Sequence, residues 1–294
     1  MKSNYRYIVK AFMAMAVIAG TTSCDDFLDR EPMSSISPET YYSTAAQLEA
    51  NLNDEYPNVL PSFGQWTYGI FGEDKGTDNQ IEVNANDRYT QDRWKVPHSE
   101  SDNWKFERIY RINFFLSEAL PKFGEDMSGS QNTISGSVAT IKHYIGEMYF
   151  LRAYEYFKKL QLFGDFPIIN QPLADEMEAL REASKRFPRN EVARFIISDL
   201  DKAYAYMSDV DMATTRINKD VAMLVKSRVA LFEATWLQNF KGTAFVPGGE
   251  GWPGASLHNN YQYPSGNIDN EVKYFLEQAV DCLLYTSPSP RDRG

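Results

Sequence analysis

The chain has 294 residues, a formal net charge of -10, 43% hydrophobic residues and 14% aromatic residues. An acidic chain lacks the basic surface that a nucleic-acid partner needs, so we expect no nucleic-acid partner. Two cysteines are too few for a disulfide framework, and the length suffices for a substantial hydrophobic core.

The N-terminus has the pattern of a lipoprotein signal peptide. A basic segment precedes an apolar stretch over residues 11–20, and Cys24 follows small residues. The apolar stretch is shorter than the ~20 residues of a membrane-spanning helix, which favours a cleaved signal over residues 1–23. Cys24 would then carry acyl chains, and several chains give a durable membrane anchor. The alternative is a soluble secreted protein whose first cysteine falls here by chance.

Apolar residues at helical spacing predict a series of helices. These cover residues 44–56, 101–123, 137–163, 190–207 and 218–240, with a last helix from about residue 269. Asp102 is the predicted N-cap of the second helix, and Gly164 ends the third. Trp104 and Trp236 lie on apolar stripes and are predicted core residues. The predicted buried side of the fifth helix consists of Val221, Leu224, Val225, Val229 and Phe232.

Long loops separate some of these helices. Residues 63–97 lack periodicity and are rich in Gly, Asn, Asp and aromatic residues, which indicates a functional loop more than a disordered one. Residues 168–188 form another connection, and residues 242–266 form a loop rich in Gly and Pro. Helix pairs joined in series predict an all-α dominated fold of tetratricopeptide-like helix pairs, although the spacing of small and aromatic residues departs from the repeat consensus.

The C-terminal segment has a separate interpretation. Residues 282–292 match the translation of a transposase-based sequencing adapter. We therefore expect residues 282–294 to be a non-native tail and residues 24–281 to be the native part of a C-terminally incomplete domain. Cys24 is then the one native cysteine. The alternative is a natural Ser/Pro-rich terminus, which composition alone permits.

Several segments resemble the SusD/RagB family of outer-membrane nutrient-binding lipoproteins of Bacteroidetes. Residues 24–29 (CDDFLD) and 38–42 (PETYY) resemble the start of the mature family members. Residues 146–157 (GEMYFLRAYEYF) and 162–167 (LFGDFP) are similar to the most distinctive segment of the family. Residues 216–219 (RINK) resemble a later segment. The acidic residues in the first segment also resemble the signal that exports such lipoproteins to the outer face of the outer membrane.

This resemblance implies a SusD-like helical fold whose long loops hold a glycan, with peptides or protein fragments as the alternative ligand. It implies a SusC-like TonB-dependent transporter as partner, and capture and delivery without a cofactor. Family members are commonly longer, which fits an incomplete C-terminus. Within the resembling segments, Arg152 and Asp165 are assigned to scaffold ion pairs or helix caps.

The sequence offers little for catalysis. His98, His143 and His258 lie far apart and outside metal-binding motifs, and no serine lies in a G-x-S-x-G motif. Acidic pairs are common on a chain with 40 acidic residues, so they do not identify a glycosidase. Asp78, Asp87 and Asp92 could contribute to a calcium site, but their spacing is not that of a known calcium loop. We therefore predict a protein that is not an enzyme and has no metal site.

Sugar rings stack on flat aromatic side chains, while their hydroxyls need a few fixed polar partners. The loop over residues 63–97 supplies both kinds of residue, and the loop over residues 242–266 adds a tryptophan. For the tryptophans of both loops, packing within the loop is the alternative to binding. The predicted ligand-binding residues are Trp66, Tyr68, Phe71, Asp78, Asn79, Arg88, Trp94 and Trp252.

Overall fold

A computed structural model of the chain describes residues 41–61, 63–64, 67–68, 103–124, 126–208 and 215–286. The chain divides into two units, Met1–Tyr41 and Tyr42–Gly294, and nearly all described residues belong to the second. The predicted lipidation site Cys24 and the signal over residues 1–23 lie outside the described residues.

The described residues form seven α-helices, one short 3-10 helix and one two-stranded ladder. In chain order the elements are α1 (Ala45–Val59), β1 (Phe63–Gly64), β2 (Thr67–Tyr68), α2 (Glu107–Phe123), α3 (Val138–Phe163), α4 (Met177–Ala183), α5 (Arg189–Tyr206), α6 (Lys219–Asn239), the 3-10 helix (Pro253–Ser256) and α7 (Ile268–Thr286). The two strands pair antiparallel, with Phe63 opposite Tyr68. The predicted all-α dominated fold is therefore confirmed.

Helix α3 is the centre of the scaffold. It packs against α1, α2 and α5, and most of its residues are buried on several faces, as its sequence predicts. Further along the chain, α5 packs on α6, and α6 packs extensively on α7. Among the helices that the structure describes, none is both long and apolar enough to cross a membrane.

Three helices begin where the sequence predicts, because a side chain at each start accepts a hydrogen bond from the first turn. Thr44 forms a capping box with Gln47, Ser137 accepts from the backbone of Thr140, and Asn218 caps α6. Each cap satisfies a backbone N–H group that has no partner inside the helix. The sequence therefore locates the starts of α1, α3 and α6 to within one residue.

Two helix predictions are wrong. Helix α2 begins at Glu107, after Phe106, so Asp102 is not its N-cap, and Trp104 precedes the helix, half-buried against the rings of Phe163 and Phe166. On α6, hydrophobicity alone does not give the buried face, because the close packing against neighbouring helices uses small side chains. Val229 is buried as predicted and Val225 and Phe232 are half-buried, but Val221 and Leu224 are exposed. The other buried residues of this helix include Ala222, Ala230 and Ala234.

Buried arginine–carboxylate pairs connect the helices. Arg152 on α3 donates to Asp199 on α5, with N–O distances of 2.6 and 2.8 Å, and it also donates to Asn113 on α2. Arg216 donates to Glu147 on α3. A buried pair of this kind is costly to break, because loss of one partner leaves an uncompensated charge. The assignment of Arg152 to a scaffold ion pair is confirmed.

Helix α3 also holds both ends of the chain segment that contains the predicted aromatic loop. Lys158 Nζ donates to the carbonyl of Val59 at 2.5 Å, and Lys159 Nζ donates to the carbonyl of Asn103 at 2.7 Å. Both lysines pair with Glu155, one turn earlier on α3. The two ends of this segment are therefore fixed to one face of α3.

Candidate functional site

The structure describes one of the eight predicted ligand-binding residues in full. Trp252 lies in the loop between α6 and α7, next to the 3-10 helix. The backbone of Tyr68 lies in β2, and its side chain lies outside the described residues. The other six predicted residues also lie outside the described residues: Trp66, Phe71, Asp78, Asn79, Arg88 and Trp94. Their role in ligand binding stays a prediction.

Trp252 lines a cavity of about 660 Å³ that we call the Trp252 cavity. This volume is within the range of ~300–1,000 Å³ that is typical of small-molecule sites. The C-terminal end of α3, the segment before α5, the C-terminal end of α6 and the loop after it form the walls. The residues that line it are Gln161, Leu162, Phe163, Gly164, Asp165, Arg186, Arg189, Trp236, Ala244, Phe245, Trp252, Pro253, Gly254 and Leu257.

Trp252 itself is part of a wall. Its side chain is 5% exposed, and its ring stacks on His258 with 5.9 Å between ring centroids. Its indole Nε1–H donates to Asp165 Oδ2 at 2.8 Å. Gly254 packs so closely that an added Cβ would lie 2.3 Å from the Trp252 ring. Trp252 therefore orients Asp165 and exposes little ring surface to the cavity.

Asp165 is held between two elements. Its Oδ1 accepts the backbone N–H of Arg189 at 2.9 Å, which caps the start of α5, and its Oδ2 accepts from Trp252. Burial raises the pKa of the Asp165 carboxyl, although these hydrogen bonds and the charges of Arg189 and Arg186 act in the opposite direction. The assignment of Asp165 to a cap is confirmed. Asp165 also presents a carboxylate to the cavity.

Arg189 lies behind Asp165 and is 3% exposed. Its Nε and one terminal nitrogen donate to Glu233 on α6 at 2.9–3.1 Å, and its guanidinium stacks on Trp236 at 4.0 Å. The other terminal nitrogen lies beside Gly164, 3.5 Å from where a Cβ on that residue would be. Within the described part of the chain, no residue accepts a hydrogen bond from that nitrogen. It is therefore a donor available at the wall of the cavity.

Other residues of the cavity lining are apolar and exposed to solvent. Phe245 is 61% exposed, and Leu162 and Leu257 are also largely exposed. The indole N–H of Trp236 donates to the carbonyl of Phe245 at 3.1 Å, which ties the Phe245 backbone to α6. Trp236 is half-buried at the cavity, so its prediction as a core residue is only partly right.

The loop that carries Trp252 and Phe245 is fixed at its far end. Tyr261 exchanges hydrogen bonds with Asn190 on α5, and Glu271 on α7 pairs with Arg194 on α5 at 2.7 Å. Burial acts to raise the pKa of Glu271, but hydrogen bonds from Arg194 and Asn190 outweigh it, and the pKa is lowered. The second wall of the cavity is therefore held on the same helix, α5, that supplies Arg189.

The site combines features suited to binding. Exposed apolar side chains, a carboxylate acceptor and guanidinium donors line one cavity of small-molecule size. Across the residues that the structure describes, no group of three histidine, cysteine, aspartate or glutamate side chains is placed to hold a metal ion. The fold and the site thus define a helical protein with a ligand-sized cavity.

Sequence reasoning missed several of these residues. Phe245, Arg186 and Arg189 were not predicted, because the cavity joins positions from residue 161 to residue 257, which no local motif connects. The one available signal was the run of aromatic residues that continues from Trp236 through Phe240 into the glycine-rich loop.

Comparison with known proteins identifies the family. Residues 26–231 match the model of a SusD-like family that is described as starch-binding associating with outer membrane. This match covers most of the chain, so the chain belongs to the SusD-like family. The family consists of non-catalytic binding proteins.

Individual relatives are distant and longer than this chain. SusD-like protein P2 of Formosa agariphila is 25% identical over 253 residues, which cover 82% of this chain and 46% of that protein. SusD-like protein P25 of the same organism is 25% identical over 233 residues, which cover 73% of this chain and 41% of that protein. The chain therefore spans less than half the length of these curated relatives.

A solved structure supports the fold. A SusD-like protein from Bacteroides fragilis matches with a TM-score of 0.50 and 21% identity, over 72% of this chain and 39% of that chain. At this level of identity the likeness concerns the fold alone, and it agrees with the predicted SusD-like arrangement of helices.

Proposed function

We propose that the protein is a cell-surface lipoprotein that binds glycans and delivers them to a SusC-like TonB-dependent transporter. The observation that carries this proposal is the family match over residues 26–231, because the description of that family joins starch binding to the outer membrane. The curated relatives are also SusD-like proteins.

The chemistry of the described residues supports a glycan as ligand. A sugar has apolar C–H faces and many hydroxyls, so its site needs exposed apolar surface beside fixed donors and acceptors. Phe245, Asp165 and Arg189 all line the Trp252 cavity. The predicted loop residues, among them Trp66 and Trp94, would add stacking surface.

A pull-down on a panel of insoluble polysaccharides tests the ligand class. Retention of the chain by at least one glycan supports the proposal. Capture of peptides together with no retention by any glycan would favour peptide uptake, the alternative function. A Trp66→Ala/Trp94→Ala double variant tests the predicted loop, and unchanged retention of the folded variant would count against these two residues.

Cys24 places the protein at the membrane in this proposal. An acylated Cys24 would hold the chain at the outer membrane, where a polymer arrives and a transporter can receive it. Metabolic labelling with a radioactive fatty acid is the test: label on the wild type and none on Cys24→Ser supports the anchor. Equal labelling of both proteins would contradict it.

Delivery requires contact with the transporter. Co-purification of a SusC-like transporter with the tagged chain from detergent-solubilised outer membranes supports this step. Failure to recover any such transporter after cross-linking in intact cells would contradict it. Glycan binding can be measured separately with the purified chain.

A further inference from the structure

The Trp252 cavity has the two kinds of wall that a sugar ring needs. Phe245 offers an exposed ring, and Leu162 and Leu257 extend the apolar surface around it. Phe245 also packs edge-on against Phe240, with 5.4 Å between centroids, so the ring has a fixed neighbour at the C-cap of α6. An apolar surface of this size suits the C–H face of one pyranose ring.

The polar wall sets an acceptor beside donors. Each oxygen of Asp165 accepts one hydrogen bond, and a carboxylate oxygen has more than one acceptor position, so both can accept again. Arg189 has a terminal nitrogen with no acceptor among the described residues. Arg186 stacks on Trp104 at 4.6 Å, and it donates to no side chain in the described part of the chain. Adjacent acceptor and donor groups match two neighbouring hydroxyls, which each donate and accept.

The charges favour a neutral ligand over an acidic one. Arg189 is paired with the buried Glu233, and Asp165 and Arg186 line the same cavity with opposite charges, so the formal charges around the site sum to zero. The whole chain carries a net charge of -10. A uronate bound beside Asp165 would place two carboxylates at short range, and like charges repel.

From this geometry we propose that the Trp252 cavity is a sugar-binding site in its own right, and that it takes a neutral pyranose unit. The ring stacks on Phe245, and adjacent hydroxyls bond to Asp165 and to the free nitrogen of Arg189. Arg186 closes the site at its exposed side. The proposal takes only the ligand class from the proposed function, because the described residues that line the cavity carry the rest.

Calorimetric titration of the chain tests this site. The probes are maltohexaose, laminarihexaose, cellohexaose and mannohexaose as neutral oligomers, with hexagalacturonate as the acidic one. Phe245→Ala and Arg186→Gln are the test variants, and both residues are exposed, so the fold should tolerate them. Tyr110→Ala and Arg181→Gln are matched controls, because both of these side chains are exposed and lie outside the cavity.

We expect the tightest neutral oligomer to lose about tenfold in affinity in Phe245→Ala, the size of one aromatic contact, and severalfold in Arg186→Gln. Both controls and the Trp66→Ala/Trp94→Ala variant should keep the affinity for this oligomer that depends on Phe245 and Arg186. Neutral binding that is unchanged in Phe245→Ala and Arg186→Gln would overturn the site and leave the proposed function standing. Preference for hexagalacturonate would overturn the neutral assignment. Binding of no oligomer would overturn the site, and the polysaccharide pull-down would then decide the proposed function.

Discussion

Two buried arginines of this protein make the same kind of ion pair in different surroundings. Arg152 bonds through all three guanidinium nitrogens, to Asp199, Asn113 and the carbonyl of Asn170. Arg189 bonds to Glu233 through two nitrogens, and the third lies beside Gly164 at the Trp252 cavity. The exposed fraction is 3% for both residues, so burial does not distinguish them.

The difference separates a scaffold residue from a site residue. A guanidinium whose nitrogens are all satisfied by the protein has little left to offer a ligand, and its role is to hold helices together. A guanidinium with one nitrogen free at a cavity wall can donate to a ligand while the ion pair fixes its position. The comparison therefore predicts that perturbing the two pairs has different consequences.

The largest expected loss of stability follows from breaking the ion pair between Arg152 and Asp199. Asp199→Ala should lower the free energy of unfolding by about 3–5 kcal/mol, because it leaves a buried charge without its partner. Urea denaturation measures this. The control is Asp269→Ala on α7, whose carboxylate is 73% exposed and pairs with the exposed Lys241; it should cost less than about 1 kcal/mol. Equal losses in the two variants would contradict the scaffold role.

A smaller loss of stability is expected when the ion pair between Arg189 and Glu233 is broken. Glu233→Ala should cost about 3 kcal/mol, near the lower end for a broken buried pair, because the cavity lets water reach the guanidinium. Urea denaturation also measures this variant, with the exposed Glu277→Ala as control. A loss that exceeds that of Asp199→Ala would show that the cavity does not hydrate Arg189.

Two carboxylates near the cavity should give opposite pH dependences. Burial raises the pKa of Asp165, so the folded state holds its proton more tightly, and its contribution to stability falls as the pH rises from 3.8 through the raised folded pKa. Although burial opposes it, hydrogen bonds lower the pKa of Glu271. Its contribution is complete above 4.5 and is lost as the pH falls through its folded pKa.

The measurement is the thermal midpoint of Asp165→Asn and Glu271→Gln relative to wild type, from about pH 3 to pH 7. The deficit of Asp165→Asn should shrink as the pH rises, whereas the deficit of Glu271→Gln should grow. If the two deficits changed in the same direction with pH, the assignment of one raised and one lowered pKa would be contradicted.

The smallest expected effect concerns Trp236. Trp236→Phe removes the N–H that donates to the carbonyl of Phe245, and it should cost about 1 kcal/mol of stability, as for a typical hydrogen bond. Thermal unfolding checks this value. Leu231→Ala, an exposed substitution on the same helix, is the control. A loss above that of Glu233→Ala would mean that Trp236 supports the core more than the cavity wall.

The sequence predicts the helices better than the cavity, for a physical reason. Caps such as Thr44 and Asn218 act over three or four residues, so a local pattern reveals them. The buried face of α6 depends on how closely its neighbours pack, and Ala230 and Ala234 face inward where Leu224 does not. Hydrophobicity alone could not rank these positions.

The site shows the same limit more strongly. The sequence predicts Trp252 from its residue type in a glycine-rich loop. Its role in the cavity wall depends on the hydrogen bond to Asp165, which lies 87 positions earlier in the chain. Arg189 follows a proline at the start of a helix and has no local pattern that marks a ligand contact. Tertiary structure alone brings these groups together.

Amide hydrogen exchange with and without a saturating neutral oligosaccharide is the most direct test of the claim that the Trp252 cavity binds sugar. A ligand in the cavity should slow exchange in residues 161–166 and 240–258, which carry Asp165, Phe245 and Trp252, and leave the Arg152 region between α3 and α5 unchanged. Binding with no added protection in these two segments would contradict the account.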